Sequence, residues 1–183
     1  LGFLARELEA RLLGARVDKA SQPDHDLVIL TLRAAGETLR LLISASPGGA
    51  RMHLSQARYE NPAEAPMFCM LMRKHLLGGR ITAIRQIAGD RLIEIRVQSR
   101  DELESAREKI LYFEAMGKHS NLSMVEDGRI IDSLRHVGLD MSRVRQMLPG
   151  LPFEMPPAQD KLDPGRLEAA ALLERLRAFP GPL

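Results

Sequence analysis

Tryptophan is absent from this 183-residue chain, aromatics amount to two Tyr and five Phe, and cysteine occurs once, at Cys69. With so few rings available, the core must be built from Leu, Ile, Val and the nine Met. A single cysteine excludes an internal disulfide framework and leads us to expect a reducing, cytoplasmic setting. No apolar run approaches the length of a membrane span, and no stretch has the form of a signal peptide, so no membrane partner is expected. What is present is the balance of a folded domain: 45% hydrophobic and 27% charged residues, over a length that supports a real core. Leu1 already lies inside a helical pattern, as expected of a piece of a longer protein.

Charge of one sign is also lacking, since the net charge is only +2, but its distribution is uneven. Residues 66–100 carry seven Arg or Lys against Asp90 and Glu94, whereas residues 101–134 carry eight acids against four bases. Such asymmetry suits one basic face for phosphates. Ordinary solvated faces produce the same bias, and charge alone favours that plainer reading.

Along the chain, LGFLARELEARLLGAR places Leu4, Leu8 and Leu12 on one helical stripe, with Gly14 at a C-cap. Strand-like runs follow: ARVDKA, DLVILTL and TLRLLIS. A second helix, announced by Pro66, runs through MFCMLMRKHLL to Gly78-Gly79, and further strands read RITAIRQI, RLIEIRVQ, REKILYFEAM, NLSMV and RIIDSL. LLGARVDKASQPDHD (12–26) and LLGGRITAIRQIAGD (76–90) share Leu-Leu-Gly, Arg, Gln and Asp at a constant offset of 64, which suggests a duplicated helix-plus-hairpin unit. From Pro149 the chain turns Pro-rich, as a linker or strap, before a helix expected from Asp163-Pro164 to Ala178.

Small, basic and polar residues crowd together in EAMGKHSNLSM (114–124), directly after the apolar run ILYF. A P-loop would need Gly where Tyr112 stands and Ser directly after Lys118, where His119 intervenes, so that reading fails. The five His, at 25, 53, 75, 119 and 136, lack zinc-ligand spacing, and no metal or cofactor is expected. Adjacent His119 and Ser120 do not make a nucleophile and base, and Cys69 inside MFCMLM reads as core. No catalytic constellation emerges. Asp90-Arg91, in a hairpin turn before LIEIRV, reads from spacing alone as a capped turn with a decorating Arg.

Taken together, EAMGKHSN, RIIDSLRHV, MSRVRQMLPG, LPFEMPP and PMFCMLMRKHLLGGRI closely resemble the N-terminal domain of the NFACT family, whose bacterial members include RqcH, long labelled FbpA or fibronectin-binding protein. The likeness covers about residues 1–157; residues 158–183 would be a linker and helix leading to helix-hairpin-helix, coiled-coil and RNA-binding parts. The resemblance implies an α+β fold with an antiparallel β-sandwich or barrel-like core and flanking helices, similar to the first domain of formamidopyrimidine-DNA glycosylases. The N-terminal proline nucleophile of those enzymes has no counterpart at Leu1, so no enzyme activity is expected.

The implied function is binding of tRNA and of the large ribosomal subunit obstructed by peptidyl-tRNA, in support of alanine tailing of stalled chains from alanine tRNA. In the family an Asp-Arg pair engages tRNA, and Asp90 and Arg91 match it. Lys118, His119, Arg143 and Arg145 are expected to add phosphate contacts, with Arg135 extending the basic reach. Glu114, Met116, Gly117, Ser120 and Asn121 are expected to shape the turn. The alternatives are fibronectin, which the family's older name raises and the lack of a signal peptide or anchor opposes, and a glycosylase-like DNA-binding module.

Overall fold

The computed structural model describes residues 1–100 and 105–157, together with 170, 173–174 and 177–178. The helix expected over 163–178 therefore lies largely outside the described residues.

Helix α1 (Gly2–Leu12) buries Ala5, Leu8 and Leu12, and α2 (Met67–Leu76) buries Phe68, Cys69, Met72 and Leu76. Both helices stop the same way. Leu13 and Leu77 leave the helical region, and Gly14 and Gly78 follow at φ +76° and +78°, a left-handed conformation that costs any other residue about 1 kcal/mol or more. Strands β1 (Arg16–Asp24) and β5 (Arg80–Gln86) start directly afterwards.

Around these two starts the backbone hydrogen bonds are reciprocal. The Gly14 N–H donates to the Ile81 carbonyl and the Gly78 N–H to the Val17 carbonyl, both at 2.8 Å. The Val17 N–H donates to Gly79 at 2.8 Å and the Ile81 N–H to Ala15 at 2.9 Å. Arg16 faces Arg80 on the local axis. Each strand then shifts register at the same place, Val17/Lys19 in one and Ile81/Ala83 in the other. The residues 64 apart in sequence thus occupy equivalent positions about a pseudo-two-fold axis.

The remaining strands are β2 (Leu27–Ala34), β3 (Glu37–Ser44), β4 (Arg51–Leu54), β6 (Leu92–Arg100), β7 (Ala106–Glu114), β8 (Asn121–Glu126) and β9 (Arg129–Ser133). Alternation is partial: the end of β6 alternates, whereas β8 is buried at five of its six positions and β3 runs from exposed to buried, and RMHL of β4 carries no readable period. The order is β4-β3-β2-β1-β5-β6-β7-β8-β9, antiparallel throughout.

This corrects the expected sandwich or barrel-like core. The α+β class stands, but the nine strands form one open sheet, and no ladder joins β4 to β9. The reason lies at the edges. The outer edge of β9 is already taken by the strap after it: Ile130 N–H donates to Leu151 O (2.9 Å), Gly150 N–H to Ile130 O (2.7 Å) and Phe153 N–H to Gly128 O (2.8 Å). That pairing blunts an exposed edge and leaves its backbone groups unavailable to β4.

One core serves both halves of the sheet. Residues of α1 and α2 pack with the inward positions of the strands, among them Leu30, Leu41, Ile43, Ile84, Ile95 and Phe113. A smaller cluster of Leu92, Tyr112, Val125, Ile130 and Met147 lies under the strap, with Val137 and Phe153 against it. Cys69 is core, as expected: burial pushes its thiol pKa up, and Sγ sits 3.6 Å from the Ala20 carbonyl. No described helix is long and apolar enough to cross a membrane.

Candidate functional site

The turn between β5 and β6 is built on two positive-φ residues, Ala88 (φ +50°) and Gly89 (φ +67°), with the Asp90 N–H donating to the Ile87 carbonyl at 3.0 Å. Turns of this hand match the right-handed twist of a hairpin. Three further bonds fix the residues that follow. Asp90 Oδ1 accepts the Arg91 N–H at 2.7 Å, Gln86 Nε2 donates to the Asp90 carbonyl at 2.7 Å, and the Arg91 carbonyl accepts the Ala115 N–H at 2.8 Å. Asp90 thus orders the backbone of Arg91. The Arg91 side chain itself is exposed, and its guanidinium meets no acid or carbonyl among the described residues.

The bond to Ala115 leads into the turn between β7 and β8. Gly117 opens a single 3-10 turn, Gly117–His119, at φ +59°. Ser120, fully buried, accepts the Met116 N–H on its hydroxyl at 2.9 Å and closes the turn. Buried Asn121 holds a second segment: Oδ1 accepts the N–H groups of Leu122 and Arg135, and Nδ2 donates to the Arg135 carbonyl, each at 2.9 Å. Lys118 and His119 are thereby presented to solvent on a rigid base.

Arg135 is spent inside the fold. Its Nε and Nη2 donate to Asp26 Oδ1 at 2.9 and 2.6 Å, and Nη1 reaches the Lys118 carbonyl at 3.3 Å. Asp26, in the β1–β2 turn, lies 109 residues away in sequence, so this pair ties the two halves of the sheet where no strand pairing does. Its exposed neighbour His25 adds a contact to Asp26 Oδ2 at 3.1 Å.

Arg145 also points inward. Its Nη1 donates to Glu114 Oε1 at 2.6 Å and its Nε to the Glu154 carbonyl at 2.5 Å, and the guanidinium lies 5.0 Å from the Phe153 ring centroid. Phe153 stacks in turn on Tyr112, at 4.2 Å between centroids. Burial raises the Glu114 carboxyl pKa, Arg145 pulls it back down, and Asp90 nearby raises it again. Tyr112 is pushed up to about 12 by burial and by the carboxylate of Glu94, which accepts its hydroxyl at 3.2 Å.

Of the residues singled out in sequence, Asp90, Arg91, Glu114, Met116, Gly117, Lys118, His119, Ser120, Asn121 and Arg145 belong to one connected run of contacts. Arg91, Lys118 and His119 face outward, whereas Glu114, Ser120, Asn121 and Arg145 hold the scaffold. Arg143 is exposed on the loop before Arg145 and makes no bond to the others. Sequence reasoning passed over Asp26 as a fastener; its match to Asp90 at the 64-residue offset was the available signal. Among the described residues, no group of three or more His, Cys, Asp and Glu is placed to hold a metal ion.

Residues 2–181 match the family described as NFACT N-terminal and middle domains. The chain belongs to the NFACT family. Among its NFACT relatives, the Rqc2 homolog RqcH of Bacillus subtilis (strain 168) is 42% identical over 182 residues, covering 98% of this chain and 32% of that protein. The N-terminal domain of fibronectin-binding protein PavA from Streptococcus pneumoniae has the same fold at a TM-score of 0.89 and 34% identity, over 96% of this chain and 66% of that one. The fibrinogen binding protein from Staphylococcus aureus follows at a TM-score of 0.83 and 34% identity, over 97% of this chain and 63% of that one. The chain spans about a third of the length of the curated relatives it matches.

Proposed function

We propose that this chain is the tRNA-contacting part of an RqcH-like ribosome-associated quality-control factor, working in the cytoplasm on the large ribosomal subunit. The observation that carries the reading is the β5–β6 turn: Asp90 fixes the Arg91 backbone, and the Arg91 fork stands in solvent with no acid bonded to it among the described residues. A guanidinium held this way suits bidentate phosphate contact. Lys118 and His119, one backbone bond away through Ala115, extend the cationic edge. Phosphate contacts of this kind supply affinity and orientation rather than sequence choice. Selection of alanine tRNA and of subunits obstructed by peptidyl-tRNA therefore falls to the complete protein, and this domain supports alanine tailing by positioning tRNA, with no chemistry of its own.

The test is a fluorescence anisotropy titration of the chain with labelled tRNA, with abasic-site duplex DNA and with fibronectin. Saturable, salt-sensitive binding preferring tRNA supports the proposal. Preference for the damaged duplex favours a DNA-binding module, and preference for fibronectin favours the adhesin reading that the name of the streptococcal relative suggests.

A further inference from the structure

A second cationic feature lies at the other end of the β5–β6 hairpin, six residues of strand and about 20 Å from the Asp90 turn. In the ladder register Arg33 of β2 faces Arg16 of β1, and Arg16 faces Arg80 of β5. Directly opposed residues project from the same face, so three guanidinium groups stand side by side across three adjacent strands, spanning about 10 Å. All three are exposed. Like charges in directly opposed positions destabilise a sheet, so such a row is held against the preference of the fold.

Little among the described residues neutralises it. Among the described residues, Asp18 is the one acid bonded to the row, through Arg16 Nε at 2.7 Å. Arg33 donates to the Thr38 hydroxyl at 2.9 Å and Arg80 to the Gly14 carbonyl at 2.9 Å, both neutral acceptors. Arg96, in contrast, bonds both Glu94 and Glu108. Next to the row, Arg40 donates to the neutral Gln56 carbonyl at 2.5 Å, and Lys19 is exposed. An open cleft lined by Gly78, Arg80, Gln98, Ser99 and Arg100 continues the row at its β6 end.

We propose that the Arg33–Arg16–Arg80 row is a second RNA-contact surface, binding the sugar-phosphate backbone of a duplex RNA region. Three forked donors in line fit a polyanion with regularly placed charges. No aromatic stands at these strand positions, so the surface lacks the stacking platform that single-stranded RNA uses and the rings that anchor protein partners. Thr31, Thr38 and Gln98 beside the arginines offer hydroxyl and amide groups to phosphates and 2′-hydroxyls, the recognition that A-form duplexes permit. This surface does not depend on the tRNA reading of Asp90-Arg91.

The experiment titrates a fluorescein-labelled RNA duplex, over a series of KCl concentrations, with the wild-type chain, with Arg16→Ser/Arg33→Ser/Arg80→Ser and with Arg33→Glu. The triple variant is expected to lose about tenfold or more in affinity, and its dependence of log affinity on log salt to become shallower by about 3, one per contact removed. Arg33→Glu places an acid opposite Arg16, so it should bind more weakly while its thermal midpoint holds or rises. Unchanged affinity and slope in both arginine variants overturn the proposal. Loss of binding to poly-glutamate, with duplex binding intact, overturns the RNA assignment in favour of an acidic protein.

Discussion

Arg145 Nη1 lies 2.6 Å from Glu114 Oε1, with side-chain exposures of only 13% and 3%. The cation that sequence reading assigned to phosphate contact is the counter-ion of a buried carboxylate, held by the Phe153 ring and the Glu154 carbonyl. Arg143, two residues earlier, is free in solvent. The two arginines should therefore separate cleanly. Arg145→Ala is expected to cost about 3 kcal/mol by leaving Glu114 unpaired, while Arg143→Ala stays within about 0.5 kcal/mol of wild type. Urea unfolding of both variants checks this.

The same pair sets a pH dependence. The folded-state pKa of Glu114 is raised, chiefly by burial, so the folded protein holds this proton more tightly than the unfolded chain. Its contribution is therefore fully present below the ordinary glutamate range and is lost as pH rises through and just above it. Removing Arg145 removes the main opposing influence and raises the folded value further. The stability gap between wild type and Arg145→Ala is expected to be small near the acid end and to widen toward neutrality. A gap that stays constant over that interval contradicts the assignment.

The pseudo-two-fold axis predicts matched responses. Gly14 and Gly78 share φ values of +76° and +78°, and a Cβ at either position meets nothing within 4 Å. Gly14→Ala and Gly78→Ala are expected to cost about 1 kcal/mol each from backbone strain alone, and nearly equal amounts. Gly79→Ala should be worse, since its Cβ would sit 2.8 Å from Val97 Cγ1 and 2.9 Å from the Leu76 carbonyl. The equivalent position in the other unit, Ala15, already carries that Cβ. Thermal midpoints of the three variants, compared side by side, decide the point.

Asn121 predicts a scaffold effect. It fastens the backbone of both Leu122 and Arg135, and Arg135 fastens Asp26. Asn121→Ala is expected to cost about 2 kcal/mol through buried groups left unpaired. Hydrogen exchange should then show faster opening at Leu122 and Arg135, with the amides of β2 protected as before.

These cases show which parts of the molecule local sequence carries. Period-2 runs such as LIEIRV mark β6, whose Ile93, Ile95 and Val97 are buried as the alternation suggests although Glu94 between them is buried too, and the Leu-Leu-Gly repeats mark two helix ends whose glycines really are left-handed. The Asp90-Arg91 turn is likewise local, being decided by Ala88, Gly89 and Asp90 themselves. Four-residue β4 was missed because RMHL is too short to show a period. The open sheet was missed because nothing in the strand sequences says that the strap at 150–153 occupies the edge of β9. The inward turn of Arg145 and the Asp26–Arg135 fastener depend on partners 31 and 109 residues away. The arginine row was hidden for the same reason: it exists only in the register, and two bulges shift that register.

The proposed tRNA contact rests most directly on Arg91. Labelled tRNA titrated with wild type and with Asp90→Ala/Arg91→Ala, both confirmed folded by their unfolding midpoints, measures it in one experiment. The expected result is weaker binding and a shallower salt dependence in the variant, with its stability within about 1 kcal/mol of wild type because only an exposed turn bond is lost. Equal tRNA affinity and equal salt dependence for the two proteins would contradict the account and reduce Asp90-Arg91 to a hairpin turn.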